Sequence, residues 1–237
     1  MRAKIKHGLR QLGLQVRGVE PDLVDFLISR RVDTVIDVGA NIGQFGTHIR
    51  ARGYRGRIAS FEPVSVAYKI LEEKTRRDPS WDIFNFALGS EEGTSAIKVS
   101  EYSVFSSILP QRPKAIQFDS RARVVAEEKI DVKTLDGIFD RFRDGRVFLK
   151  IDTQGYEQAV LEGSKESMPH VLGLHLELPI AKFYEGTWEL PEALVYLRQK
   201  GFVLCQSEPT NYDPHDPVAA VELDCLFRRE YSGEAVN

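Results

Sequence analysis

The sequence predicts an α/β chain: a seven-stranded, mostly parallel, doubly wound sheet with helices on both faces and an antiparallel final strand. Three observations predict it. Short apolar runs alternate with stripes of helical period along most of the chain. The first apolar run ends in a glycine-rich turn that opens directly into a helix. The last two runs are joined by the turn-rich segment PTNYDPHDP and not by a helix, which suits an antiparallel finishing pair.

Taken in order, PDLVDFLISRR reads as a helix leading into the strand VDTVIDVG, Val32 to Gly39. The glycine turn and a helix from near Gln44 to about Arg52 follow. RIASFEP (Arg57 to Pro63) is the second strand, SVAYKILEEKTRR its helix, and WDIFNFALG the third strand. From Glu91 to Lys133 the pattern changes: EGTSAIKVS and RARVVAEEKIDVKT alternate like a hairpin around the loop-like YSVFSSILPQRPKAIQ. That segment reads as an inserted hairpin or arm over the sheet edge. TLDGIFDRF is a short helix, RVFLKID (Arg146 to Asp152) the fourth strand, YEQAVLEGS a helix and VLGLHLELP the fifth strand. LPEALVYLRQKG closes as a helix capped at Gly201, before the strands FVLCQSE and AAVELDCLFRR. The expected organisation is an N-terminal helical cap over 1–31 and a single domain over 32–237, carrying the arm at about 91–133.

Composition narrows the function. The 237 residues are 42% hydrophobic and 28% charged, which excludes a disordered chain, a fibre or a disulfide mini-scaffold. Thirty-two Lys and Arg against 35 Asp and Glu leave no basic field to hold a nucleic acid. No stretch approaches the ~18 apolar residues of a membrane span, and no signal-peptide core is present near the start, so the expectation is a cytoplasmic protein. Cys205 and Cys225 lack metal or redox spacing and are expected as free buried thiols in a reducing compartment. Near the start, Arg2, Lys4, Lys6, Arg10 and Arg17 precede the first acid, with Ile5, Leu9, Leu12 and Val16 at helical spacing. Either this helix touches anionic lipid weakly, or it caps its own domain or a second subunit of a homodimer; Gly8, Gly13 and Gly18 weaken it.

The strongest site signal is VIDVGANIGQFG: a strand, then Asp37, Gly39, Asn41 and Gly43, then a helix. It departs from the dinucleotide pattern GxGxxG, and an acid just before the turn repels a pyrophosphate. Asp37 favours a cationic ligand such as the sulfonium and ammonium of S-adenosylmethionine. Glu62, at the end of the second strand, can accept both ribose hydroxyls of an adenosine. Asn85 to Ala87, ending the third strand, fall where such folds meet the adenine.

With these residues in order, the chain resembles the FkbM-type methyltransferases, a Rossmann-like class I family dependent on S-adenosylmethionine. The resemblance rests on DVGANIGQFG, FEPV, NFALG, SVFSSIL, LKIDTQGYEQAVLEG, LHLELP and ELDCLF, and spans roughly Val32 to Arg228. It implies oxygen methylation of sugars, polyketides or other secondary metabolites. It also implies that Asp37, Gly39, Asn41 and Gly43 hold the methionine part of the cofactor, Glu62 the ribose, and Asn85 to Ala87 the adenine surroundings. One departure stands out: the family usually carries an acid in the Asp-x-Glu-Gly element, and here it reads Asp152-Thr153-Gln154-Gly155.

A hydroxyl attacking a methyl group must lose its proton, so a base is expected at a strand end. Asp152, with His175 or Glu177 from the neighbouring strand, is expected to deprotonate or orient the acceptor. A divalent metal held by these groups is a variant the residue types allow, though it is not expected. Plainer roles compete: Asp152 caps the next helix, and Glu177 pairs with Lys150. Ser106 and Ser107 on the arm, and Tyr184 and Trp188 in the aromatic loop beside Phe183, are candidates for holding the acceptor, the aromatics by stacking on a sugar face or else by packing the loop. The expected activity is O-methylation of a carbohydrate, glycolipid or secondary metabolite. An N-methyltransferase, needing no strong base, and a catalytically silent cofactor-binding subunit are the alternatives.

Overall fold

The computed structural model describes residues 21–230. The basic N-terminal segment, and with it the choice between cap helix and lipid contact, lies outside the described residues. The first described helix, α1 (Leu23–Ser29), begins with a capping box in which the Asp22 carboxylate accepts from the Val24 and Asp25 amides while Asp25 reaches back to the Asp22 amide.

Strand β1 (Thr34–Val38) is buried at all five residues, as a central parallel strand with both faces covered must be. It runs parallel to β2 (Arg57–Phe61), which runs parallel to β3 (Trp81–Phe84). Helices α2 (Gln44–Ala51) and α3 (Ser65–Thr75) make these crossovers. The expected third strand divides: after Phe84 the chain leaves the main sheet, and β4 (Ala87–Leu88) joins a separate three-stranded sheet. The exposed Asn85 marks the break, its Nδ2 donating to Glu62 O at 2.9 Å and Pro63 O at 3.1 Å. In the small sheet, β5 (Gly93–Ser100) and β6 (Val124–Lys133) form an antiparallel hairpin, with β6 in the middle and β4 parallel to it. Residues 101–123 between them carry the short helix α4 (Pro113–Phe118).

After α5 (Leu135–Ile138) the main sheet resumes with β7 (Val147–Ile151), inserted beside β1, followed by α6 (Glu157–Glu162), β8 (Val171–Pro179) and α7 (Leu190–Gln199). The chain closes with β9 (Phe202–Asp213) and β10 (Asp216–Arg229). The strand order is β3-β2-β1-β7-β8-β10-β9, with β10 antiparallel to both neighbours. The segment expected as a loop, PTNYDPHDP, is for the most part strand: β9 continues through Pro209 to Asp213 with shifts in register, and only Pro214 and His215 separate the strands. An edge strand tolerates such a proline. Cys205 is exposed on this edge and Cys225 is buried, both free.

Period two sorts the strand residues to two cores. Ile36, Val38, Phe61, Leu149 and Ile151 face the layer holding Leu161 and Leu197; Val35, Ile58 and Phe148 face the layer holding Leu27, Ile49 and Leu71. Among the described residues, no helix is long and apolar enough to cross a membrane.

Candidate active site

The same alternation places Asp37, Ser60, Lys150 and His175 on one face, and the parallel register aligns them across the sheet: Asp37 lies opposite Ser60 and Lys150, and Lys150 opposite His175. The result is a buried polar chain. Trp81 Nε1 donates to Ser60 Oγ at 3.0 Å, Ser60 Oγ donates to Asp37 Oδ2 at 3.0 Å, and Lys150 Nζ pairs with Asp37 Oδ1 at 3.0 Å. Lys150 also donates to Gly39 O at 2.9 Å. Burial works against its ammonium charge, but Asp37 and then Asp152 outweigh burial and hold the lysine protonated. Asp37 therefore lies beneath the turn, fully buried and paired with Lys150.

Above this floor opens a cavity of about 280 Å³ at the carboxyl ends of the strands, where ligands bind in open α/β sheets. Gly39 (φ +73°) forms its rim; a Cβ there would stand 1.9 Å from Asp152 O, so the turn tolerates no side chain. Gly43 (φ +81°) lies outside the lining and caps the amino end of α2 in a left-handed conformation. Glu62 is buried against the cavity, its Oε2 accepting from the Asn41 amide at 2.7 Å and its Oε1 from the Val64 amide at 2.8 Å. Burial pushes its carboxyl up to about 7, while the two amides and Lys150 pull the other way. Val64, Ala87, Leu88 and Ile97 supply an apolar wall, and the arm closes over it at Ser103 to Ile108. Ser103 Oγ donates to Asn41 Oδ1 at 3.0 Å and ties arm to turn.

At the far end, Asp152, Gln154, His175 and Glu177 meet. Gln154 takes a left-handed backbone (φ +55°) and bridges the acids: its Nε2 donates to Asp152 Oδ1 at 2.9 Å and to Glu177 Oε2 at 3.0 Å. Its Oε1 accepts from the Tyr184 hydroxyl at 3.0 Å, and its backbone carbonyl accepts from Ser107 Oγ at 2.7 Å. Asp152 Oδ2 is left 3.7 Å from Lys150 Nζ, with 39% of the side chain exposed. Burial, then the charges of Asp152 and Glu222, push the Glu177 carboxyl well above its ordinary value. Burial and Lys150 hold the His175 imidazole down at about 4, so it is neutral at pH 7, stacked on Phe45.

Of the residues expected from sequence, Gly39, Asn41, Glu62, Ala87, Ser106, Asp152, His175 and Glu177 line the cavity together. Asp37, Asn85 and Ser107 brace it from outside, and Tyr184 lies behind Gln154, buried at 3% exposure. Trp188 stands elsewhere: it belongs to the main core, its ring 5.7 Å from that of Tyr196, because an aromatic between two apolar layers gains more from burial than from a wet mouth. Asp152 does not cap α6, whose first turn follows Tyr156, and Glu177 takes Gln154 and not Lys150. Sequence reading missed Lys150 as the floor cation, Gln154 as the bridge, and Asp224, which faces Glu177 across β10; the available signals were the i, i+2 pair Lys150–Asp152 and the acid within ELDCLF.

The family model for the methyltransferase FkbM domain matches residues 37–204, from the buried acid of β1 to the start of β9. The chain belongs to the FkbM methyltransferase family. It is an S-adenosylmethionine-dependent methyltransferase with a Rossmann-like class I fold. It is 25% identical over 196 residues to the methyltransferase sdnD of Sordaria araneosa, covering 71% of this chain and 73% of that one. A 76-residue stretch is 37% identical to the antimetabolite synthetase AmbE of Pseudomonas aeruginosa, 31% of this chain but only 4% of that one. The crystal structure of an FkbM methyltransferase from Methylobacillus flagellatus superposes with a TM-score of 0.51 at 18% identity, covering 83% of this chain and 43% of that one; this is a likeness of fold.

The cavity's residues suit the methyl donor. Among the described residues that line it, the acids Glu62, Asp152, Glu177 and Asp224 outnumber the one lysine or arginine, Lys150, which suits a sulfonium ligand, and Glu62 keeps lone pairs beyond its two amide bonds. They suit a metal poorly: Gln154 turns N–H donors toward both acids, and among the described residues no group of three or more His, Cys, Asp or Glu converges to hold one.

Proposed function

We propose that this methyltransferase acts on oxygen, at a hydroxyl of a carbohydrate, glycolipid or secondary metabolite, with Asp152 as the proton acceptor. One observation carries the reading: a partly exposed carboxylate stands at the cavity's open end, its Oδ1 tied to Gln154 and its Oδ2 free beside a buried ammonium. In this reading Glu62 holds the ribose hydroxyls, while Val64, Ala87, Leu88 and Ile97 enclose the adenine. Asn41 and the Gly39 carbonyl, fixed from below by Lys150, meet the amino acid end. S-adenosylmethionine held there supplies a methyl group on sulfonium sulfur for in-line attack. Gln154 fixes Asp152 so that Oδ2 takes the hydroxyl proton as the oxygen attacks. His175, neutral, packs the wall with Phe45. Gln154 does not speak for a silent subunit, since its amide serves the base. The free thiols support a reducing, cytoplasmic setting.

The test is Asp152→Asn, assayed by transfer of labelled methyl groups to polysaccharide, lipid and small-molecule extracts. Turnover should fall by roughly a hundredfold or more, the worth of a general base, with S-adenosylhomocysteine affinity unchanged by calorimetry. Full turnover removes Asp152 from the mechanism.

A further inference from the structure

A second cavity, of about 460 Å³, opens on the other side of Asp152, Gln154 and Glu177, and these three residues line both spaces. Its remaining walls come from the arm (Tyr102, Phe118, Arg121) and from the β9–β10 end (Tyr212, Glu222). We infer that this cavity receives the methyl acceptor, and that the acceptor is a polar, hydroxylated molecule carrying a cationic ammonium group near the reacting hydroxyl. The inference rests on the proposed reading of the site and adds the charge class of its substrate.

Four carboxylates line the cavity: Asp119, Asp152, Glu177 and Glu222. Among the described residues that line it the one cation is Arg121, and it is taken: Nε and Nη2 donate to the Asp119 carboxylate at 3.0 and 2.6 Å, and the guanidinium lies over the Tyr102 ring at 4.7 Å. With that pair cancelled, Asp152 shares Lys150, 3.7 Å away, with Asp37, and among the described residues no ion pair reaches Glu177 or Glu222. Lys150 itself is buried, with its closer contacts to Asp37 and Gly39 O, each about 3 Å away. Neutral amides satisfy one oxygen each, from Gln154 to Asp152 and Glu177, and from Asn211 to Glu222 at 2.8 Å. Burial, with Asp152 and Glu157 adding to it, pushes the Glu222 carboxyl up to about 7, the behaviour of acids short of positive partners. A phosphate, a uronate or a nucleic-acid backbone would add negative charge beside acids already short of positive partners; an ammonium would supply the missing charge and favour their ionised forms. Tyr212, 49% exposed, presents a ring at the mouth that suits a cation or a sugar face.

The experiment uses the full chain saturated with S-adenosylhomocysteine and three probes on one ring: methyl glucosaminide, methyl glucoside and methyl glucuronide. Binding is read by ligand-observed NMR at pH 7. The amine probe should bind at least tenfold more tightly than the neutral one, with the uronate weakest. Glu222→Gln, which keeps an acceptor for Asn211, should remove most of that preference while S-adenosylhomocysteine affinity stays unchanged. Equal binding of amine and neutral probes, a preference for the uronate, or binding of none overturns the inference, as does a preference that survives Glu222→Gln. Methylation found on nitrogen in an amine-bearing product would instead overturn the hydroxyl reading and leave the cavity's charge preference standing.

Discussion

Glu62 and Lys150 show what a single buried charge must have around it to be kept. Lys150 lies 5% exposed beneath the turn, and a bare ammonium there would be prohibitive; Asp37 on the adjacent strand supplies the counter-charge, and the Gly39 carbonyl accepts a hydrogen bond from it. The pair thus holds the backbone that rims the cavity, and Asp37 supports the site from outside its lining. Among the described residues Glu62 has no such partner at contact distance, and burial lifts its carboxyl to about 7 despite two amide donors. If it grips the ribose as a carboxylate, cofactor binding must strengthen as pH rises through 7. Calorimetric titration with S-adenosylhomocysteine should show tighter binding at pH 8 than at pH 6. Glu62→Gln should weaken binding at pH 8 roughly ten- to a hundredfold, the worth of charged hydrogen bonds, and flatten the pH dependence.

At the scale of elements, the departures from expectation share a cause: the sheet's edges are decided by pairing partners distant in sequence. WDIFNFALG reads as one apolar run, yet its second half finds β6, more than forty residues later, and becomes part of another sheet. PTNYDPHDP carries every mark of a loop, yet β10 offers a ladder and the segment extends along it. The aromatic loop divides likewise. Tyr184 reaches Gln154, whereas Trp188 packs beneath α7 among core residues. Trp188→Ala should therefore act on stability, costing about 3–5 kcal/mol in urea unfolding, with S-adenosylhomocysteine affinity retained in the folded fraction. A normal midpoint with impaired acceptor binding would return Trp188 to the site.

For the whole molecule, several buried acids at one end of the sheet make stability depend on pH in a stated direction. Glu62 and Glu222 are raised to about 7 and Asp224 to about 6, in each case chiefly by burial. A folded state with raised acid pKa values binds more protons than the unfolded chain, so stability falls as pH climbs from their ordinary range to about 7. His175, held down at about 4, works oppositely but only between about 4 and 6.5. Above that only the acids remain, and the ligand-free protein should melt at a lower temperature at pH 8 than at pH 6.5. Scanning calorimetry on Glu222→Gln should show a smaller drop. A melting temperature that rises over this interval would contradict the burial of these acids.

Much was written locally. The strand-turn-helix of VIDVGANIGQFG, the acid of FEP, the alternation of sheet and helix and the antiparallel close each depend on neighbours a few residues apart, so period, glycine and terminal charge specify them without the rest of the chain. What only the tertiary structure decided is how residues from remote segments share one space: that Lys150 neutralises Asp37, that Gln154 bridges Asp152 and Glu177, that Asp224 and Glu222 arrive from β10, and that Trp188 goes inward. Strand register and burial set those outcomes. A carboxylate's role follows from the charges beside it and the water it has lost, and neither is a property of its position along the chain.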